Sequence, residues 1–351
     1  MSLHFVRTVV AGSLLAMPAV AAPVTLGEQF FRKDWAAACD NSLACEAVSM
    51  APDGDLADKT WVRITRDSGA DTVSVKIGLS EPKGDRYRLL IDGRLIDSGM
   101  LSKGEWAIEA APSNALRVAR AIGRGRKMVI LGADGTKLGE RSLNGSAAAL
   151  IHIDHLQNRA RTRNALFLSG RRTVQPKSMP LPVIAAQRIG KAGAVPDAGT
   201  IIAVVEKSQC PAEQLAVTEN SAFSLGKNGG VNKVLILVGC GAGAYNMTMA
   251  PYVGSSTDGR RWSFTPARFD YPEKPDEGMG GAVLLSNPEW DAANQQLNSF
   301  HKGRGLGDCG RSANYVWDGN QFRLVEATGI DECNGARSWM TLWRAKVEFT
   351  D

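Results

Sequence analysis

The stretch Tyr315-Val316-Trp317-Asp318-Gly319-Asn320-Gln321-Phe322-Arg323-Leu324-Val325 decides the fold. Two short runs of aromatic and branched residues flank an Asp-Gly pair, which tolerates the positive φ that a two-residue type I′ hairpin loop demands. The same arrangement recurs at Asp92-Gly93, Asp134-Gly135 and Asp258-Gly259, each between short apolar runs. Val73, Val75, Ile77 and Leu79 alternate with Thr72, Ser74, Lys76 and Gly78, the period of two that marks a half-buried strand. Several hairpins along one chain predict antiparallel sheet. The expected class is therefore mainly β (α+β).

Helices are fewer. Ser113 is the expected N-cap of a helix near 113–122, with Leu116, Ala119 and Ile122 on one face and Gly123 stopping it. A second helix, from Ser146 to Arg159, follows Leu143-Asn144-Gly145 and places Ala149, Leu150, Ile153 and Leu156 at helical spacing. A short third piece, Thr162 to Ser169, would be closed by Gly170. Together these helical readings span 146–169.

Residues 171–199 contain Pro176, Pro180, Pro182 and Pro196 without a period, and read as a linker. They separate an N-terminal β-rich domain, 22–170, from a C-terminal one, 200–351. Charge changes sign across the boundary. Residues 22–194 carry 26 Lys+Arg against 18 Asp+Glu, and residues 195–351 carry 14 against 18. Arg159, Arg161, Arg163, Arg171, Arg172, Lys177, Arg188 and Lys191 supply much of the excess, with no acid among them. Such a run is either a solvated face or a surface for an anionic partner.

The 351 residues, 44% hydrophobic and 22% charged, exclude a collagen-like or disordered chain. Residues 1–21 read as an export signal: Arg7 precedes an apolar run from Val9 to Met17, and Ala19-Val20-Ala21 offers a cleavage site after Ala21. That run is shorter than the roughly 20 residues needed to span a bilayer, and no second stretch is long enough. Six cysteines remain: Cys39, Cys45, Cys210, Cys240, Cys309 and Cys333. An even number in an exported chain points to disulfides, although six cysteines allow fifteen pairings. Pairing nearest neighbours is simplest and gives Cys39–Cys45, Cys210–Cys240 and Cys309–Cys333. Nothing resembling C-x-x-C, and no nearby His, completes a metal site.

Catalytic signatures are absent: no G-x-S-x-G, H-E-x-x-H, phosphate-binding P-loop or EF-hand occurs. His152 and His155 share a helical face but lack a third ligand. Gly239-Cys240-Gly241-Ala242-Gly243-Ala244 follows a strand without the G-x-G-x-x-G spacing or the helix of a dinucleotide site, and reads as a Gly-rich strand turn. No catalytic residue, metal or cofactor is assigned. The most distinctive stretch is His301-Lys302-Gly303-Arg304-Gly305-Leu306-Gly307-Asp308-Cys309-Gly310. Glycines that expose backbone N–H groups beside Lys302 and Arg304 can form an anion-binding nest. Alternatively, Asp308 pairs with Arg304 and closes a hairpin loop. Lys302, Arg304 and Asp308 are the candidate binding residues. The eight tryptophans are read as core, with stacking on sugar faces the alternative.

Lys33-Asp34-Trp35 before Cys39, Gly243-Ala244-Tyr245-Asn246 after Cys240, the loop Lys302–Gly310 and Trp343-Arg344-Ala345 complete the six-cysteine pattern. With these neighbours the chain resembles the bacterial six-cysteine family known as domain of unknown function 1176, over essentially the whole chain after the signal. From Trp35 through Leu143-Asn144-Gly145 it is also loosely similar to the invasion-associated locus B family. The first resemblance implies a periplasmic location in a Gram-negative bacterium and no reaction. The expected function is a non-catalytic periplasmic binding or envelope-associated protein, whose partner is an anionic envelope component or another periplasmic protein. Nucleic acid is not expected, since no stacking-aromatic pattern accompanies the basic run. The alternatives are a cell-wall or glycan hydrolase, using Asp308 and a second carboxylate, and a purely structural envelope protein.

Overall fold

A computed structural model describes residues 24–51, 60–80, 82–104, 106–175, 178–190, 193–208, 210, 221–271 and 283–350. The export signal, Lys177 and Lys191 lie outside the described residues.

The first half begins with β1 (Gln29–Arg32), β2 (Trp35–Cys39), β3 (Cys45–Ser49), β4 (Thr60–Arg66) and β5 (Val73–Leu79), an antiparallel meander. The alternation in β5 holds, with Val73, Val75, Ile77 and Leu79 buried. β6 (Arg86–Ile91) and β7 (Arg94–Met100) form a hairpin, and β8 (Ile108–Glu109) adds to the edge of β5. Next come α1 (Pro112–Arg124), β9 (Lys127–Gly132), β10 (Lys137–Ser142) and α2 (Ser146–Leu156). The strand orders are β1-β2-β3-β4-β5-β8 in one sheet and β10-β9-β6-β7 in a second.

In the second half, β11 (Val183–Gln187) comes from within the proline-rich segment, and α3 (Ala198–Lys207) follows. β12 (Ser221–Asn228), β13 (Val231–Ala242), β14 (Met247–Ser256) and β15 (Ser263–Pro266) form one antiparallel sheet, with β16 (Leu285–Ser286) also paired to β14. β17 (Glu289–Asp291), β18 (Gln296–Lys302), β19 (Gly310–Trp317), β20 (Phe322–Ile330) and β21 (Met340–Arg344) form another. β22 (Lys346–Thr350) pairs in parallel with β11. The protein is mainly β, with three helices among the described residues.

β2 shows why the halves pack as they do. Trp35-Ala36-Ala37-Ala38-Cys39 is buried throughout. Successive strand side chains point to opposite faces. Trp35, Ala37 and Cys39 accordingly join the first-half core with Ile64, Leu150 and Ile153, whereas Ala36 and Ala38 face Ile330, Met340 and Leu342 from the second half. Small alanines on the second face let β21 approach closely. Glu46 accepts the Thr341 N–H and hydroxyl, and Asn41 exchanges two hydrogen bonds with the Arg344 backbone at 2.8 and 2.9 Å. The Arg344 guanidinium also donates to Asp40, whose side chain is buried.

Several local expectations change. At α1 the N-cap is Ala111, because Pro112 occupies the first turn, where its missing N–H leaves no bond unmade. Ser113 thus lies inside the helix, and Gly125 rather than Gly123 ends it. α2 stops at Leu156, which is exposed; Asp154 and Gln157 turn inward instead. Residues 162–169 are not helical. The Asp154 carboxylate accepts the N–H groups of Leu166 and Phe167 at 2.9 and 3.0 Å, Gly170 N–H bonds to Thr162 O, and Thr162 bridges to Arg172. These bonds replace the i to i−4 ladder that a helix would need.

Of the Asp-Gly turns, Asp92-Gly93 has the expected paired positive φ, 48° and 78°. At 318–321 the loop is longer, because the Asp318 carboxylate accepts the N–H groups of Asn320 and Gln321. Trp317 then pairs with Phe322 across the strands.

Candidate functional site

All three disulfides join nearest neighbours: Cys39–Cys45, Cys210–Cys240 and Cys309–Cys333. The third anchors the Gly-rich loop between β18 and β19. Within that loop Asp308 is buried, and its Oδ1 accepts from Arg304 Nε at 2.7 Å. Its Oδ2 accepts from Arg304 Nη2 and, at 2.7 Å, from the Gly335 N–H. The Arg304 guanidinium, aided by that N–H, holds the Asp308 carboxyl below its ordinary range despite desolvation. Gly303 N–H to Cys309 O and Gly307 N–H to Arg304 O complete the closure. Asp308 therefore ties the loop to Arg304 and to the Gly335 backbone.

Lys302 ends β18 half-buried, with its ammonium 5.9 Å from the Phe300 ring centroid, while Phe300 stacks on Trp339 at 4.8 Å. Its backbone is read by a side chain from another sheet. Asn246 Oδ1 accepts the Lys302 N–H at 3.0 Å, and Asn246 Nδ2 donates to Lys302 O at 2.9 Å. Asn287 supports Asn246 at 3.0 Å, and the Tyr245 hydroxyl donates to Gly303 O. The two most distinctive stretches of the sequence thus meet: the Gly243-Ala244-Tyr245-Asn246 turn clasps the Lys302–Asp308 loop. The Gly243 N–H to Asn246 O bond of 2.7 Å closes that turn.

Two large apolar side chains stand exposed at this junction, Tyr245 and Leu306. Beside them opens a cleft of about 770 Å³ whose lining includes Ser286, His301, Gly303, Arg311, Asp331 and the Cys309–Cys333 disulfide. Arg311 and Asp331 pair at 2.8 Å, both about half exposed. His301 Nδ1 lies 3.2 Å from the Ser286 hydroxyl. Among the described residues no group of three or more His, Cys, Asp or Glu is placed to hold a metal ion.

The basic run separates by role. Arg159 is buried, its guanidinium bonded to Asp71 and to Ala70 O, whereas Arg161, Arg163, Arg171, Arg172 and Arg188 are exposed. His152 is half-buried, stacked on Phe30 at 4.6 Å, and burial lowers its pKa; His155 is exposed. Trp35, Trp317 and Trp343 are buried in the cores, and the remaining five tryptophans are half-buried. Sequence reading missed the buried Arg66. It donates to Asp154 at 2.8 Å, to Gln157, and to Asn164 O at 2.9 Å. Its only sequence signal is a cation at an inward position of an alternating strand.

Fold and site define a disulfide-pinned, mainly antiparallel protein in which a cysteine-anchored glycine loop is clasped by a neighbouring turn. The chain belongs to the family described as protein of unknown function, DUF1176, whose model matches residues 29–346. It is 26% identical over 340 residues to the uncharacterized protein YpfG of Escherichia coli (strain K12), covering 88% of this chain and 91% of that protein. No solved structure matches it. Three disulfides are consistent with export, and among the described residues no helix is long and apolar enough to cross a membrane.

Proposed function

We propose that this is a non-catalytic periplasmic binding protein that recognises an anionic envelope component with the Lys302–Asp308 loop and the adjoining cleft. The observation that carries this reading is the combination of rigidity and exposure at one place. The loop is tied by a disulfide, by the Arg304–Asp308 pair and by Asn246, yet it presents Leu306 and Tyr245 to solvent beside Lys302 and Arg304. A pre-ordered surface loses little conformational freedom on binding. In this reading Lys302 and Arg304 face the ligand, and Asp308 orients Arg304. The exposed Arg161, Arg163, Arg171 and Arg172 are a second, purely electrostatic surface.

The segments 22–170 and 200–351 are proposed as two domains working as one body. The shared cluster of Ala36, Ala38, Met50, Ile330, Met340 and Leu342 and the Arg344–Asp40 contact support that reading.

The test compares oxidised protein with a Lys302→Ala/Leu306→Ala variant, which leaves the Arg304–Asp308 closure intact. Retention is measured on phosphatidylglycerol vesicles and on purified cell-wall fragments, at low and high salt. The proposal expects retention by the parent that salt and the variant both reduce. Equal retention of the two proteins on both supports, or no retention, would make the loop only a closure of the fold.

A further inference from the structure

We propose that the groove between α3 and the β14–β15 hairpin is a separate binding site for an anionic saccharide. This groove, of about 790 Å³, has α3 residues Thr200, Ala203, Val204 and Lys207 on one side. On the other side lie Tyr252 of β14, Arg260, Arg261 and Trp262 of the turn, and Phe264 of β15. Nothing in the loop-and-cleft reading above involves these residues.

The local sequence builds an aromatic shelf at a sheet margin. Trp262 and Phe264 are two apart on an extended segment, so their rings share a face. They stack with centroids 6.3 Å apart and planes inclined by 20°. Phe264 pairs opposite Gly254, and a Cβ at Gly254 would lie 2.6 Å from the Phe264 ring. The missing side chain is what allows the ring to lie flat across β14. α3 covers the neighbouring strand instead, where Ile201 and Val204 pack on Val234, Ile236 and Val238. The Cys210–Cys240 disulfide ties the chain beyond α3 to β13. Tyr252, Trp262 and Phe264 are thereby left half-buried rather than covered.

The rim supplies the charge selection. Asp258 bonds the backbone N–H groups of Arg260 and Arg261 and the Arg261 side chain. Asp197 accepts the Thr200 N–H at 2.7 Å at the start of α3. Both acids are thus committed, whereas the side chains of Lys207 and Arg260 have no carboxylate partner among the described residues. Three half-buried aromatic rings and the rim cations Lys207 and Arg260 match a sugar ring whose apolar face stacks on the shelf. Its carboxylate would meet the rim.

Isothermal titration of the oxidised full chain with tetragalacturonate, with neutral cellotetraose alongside, tests the assignment. Tetragalacturonate is expected to bind, and to quench tryptophan fluorescence, with affinity falling as salt rises. The exposed double variant Lys207→Ala/Arg260→Ala is expected to bind about tenfold more weakly or worse, because charge-assisted contacts are lost. Trp262→Phe should remove most of the quenching while keeping the shelf. Lys302→Ala/Leu306→Ala should bind tetragalacturonate unchanged, which separates this site from the loop proposal. Absence of binding, equal affinity in Lys207→Ala/Arg260→Ala, or equal binding of cellotetraose would each overturn the proposal.

Discussion

Replacing Asp154 by Asn removes one charge from the buried Arg66 network with almost no change in volume. Asp154 Oδ1 accepts from Arg66 Nη2 at 2.8 Å and from the Leu166 N–H at 2.9 Å, while Oδ2 accepts the Phe167 N–H at 3.0 Å. Asparagine can keep only one of these oxygens. If its oxygen stays with Arg66 and Leu166, its amide N–H₂ confronts the Phe167 N–H, donor against donor. A buried donor without an acceptor costs about 1–3 kcal/mol. Arg66 also loses its counter-charge while its side chain stays wholly buried. Desolvation already pulls the Arg66 pKa down to about 10 even with Asp154 present. Breaking one side of such a pair costs about 3–5 kcal/mol.

With a urea m-value of roughly 3 kcal/mol/M, the unfolding midpoint should fall by about 1–1.7 M. Equilibrium urea unfolding of the oxidised protein, followed by tryptophan fluorescence, reads the shift. Amide exchange at Leu166 and Phe167 should accelerate with it. Combining Arg66→Met with Asp154→Leu removes both charges but leaves the Leu166 and Phe167 N–H groups without an acceptor, so it should not restore the parent's stability. A loss below about 1 kcal/mol in Asp154→Asn at unchanged m would refute the reasoning, because the network would then not carry the fold here.

Two further outcomes follow from the same logic. Asp308→Asn should melt below the parent at pH 7; because Arg304 holds the folded carboxyl below its unfolded value, the gap is full above about pH 4 and closes as acid protonates Asp308, readable in thermal melts at pH 7 and pH 3. Gly145→Ala should destabilise strongly or prevent folding, since φ is 100° and a Cβ there would sit 1.9 Å from Arg32 O; soluble yield and melting temperature read it.

Much of the strand content was legible. The Val73-Val75-Ile77-Leu79 alternation and the Tyr315–Val325 hairpin are local patterns, set by side-chain period and turn chemistry, and both appear where expected. The loop with Lys302, Arg304 and Asp308 was legible as a feature, and its internal Arg304–Asp308 pair is one of the two alternatives its residues offered. The clasp by Asn246 was not. Residues 246 and 302 lie 56 positions apart, and no local pattern says that β14 and β18 will both border β16. Residues 162–169 were misread because Gly170 and the apolar spacing suit a helix equally well. Backbone N–H groups there bond instead to a carboxylate buried by α2.

By itself the amino-acid order determined the mainly antiparallel class and the positions of the distinctive glycine loop and turn, while the pairing of the six cysteines came from the structure. Each depends on contacts between residues close in the chain, where spacing limits the possible partners. Tertiary structure decided which side chains of Trp35-Ala36-Ala37-Ala38-Cys39 face which half. It also placed Arg66 in the interior against Asp154 and set the Gly243–Asn246 turn against Lys302. It left Tyr252, Trp262 and Phe264 half-buried beside α3. Those outcomes depend on burial shared between distant segments, and an isolated stretch of sequence carries no record of what will cover it.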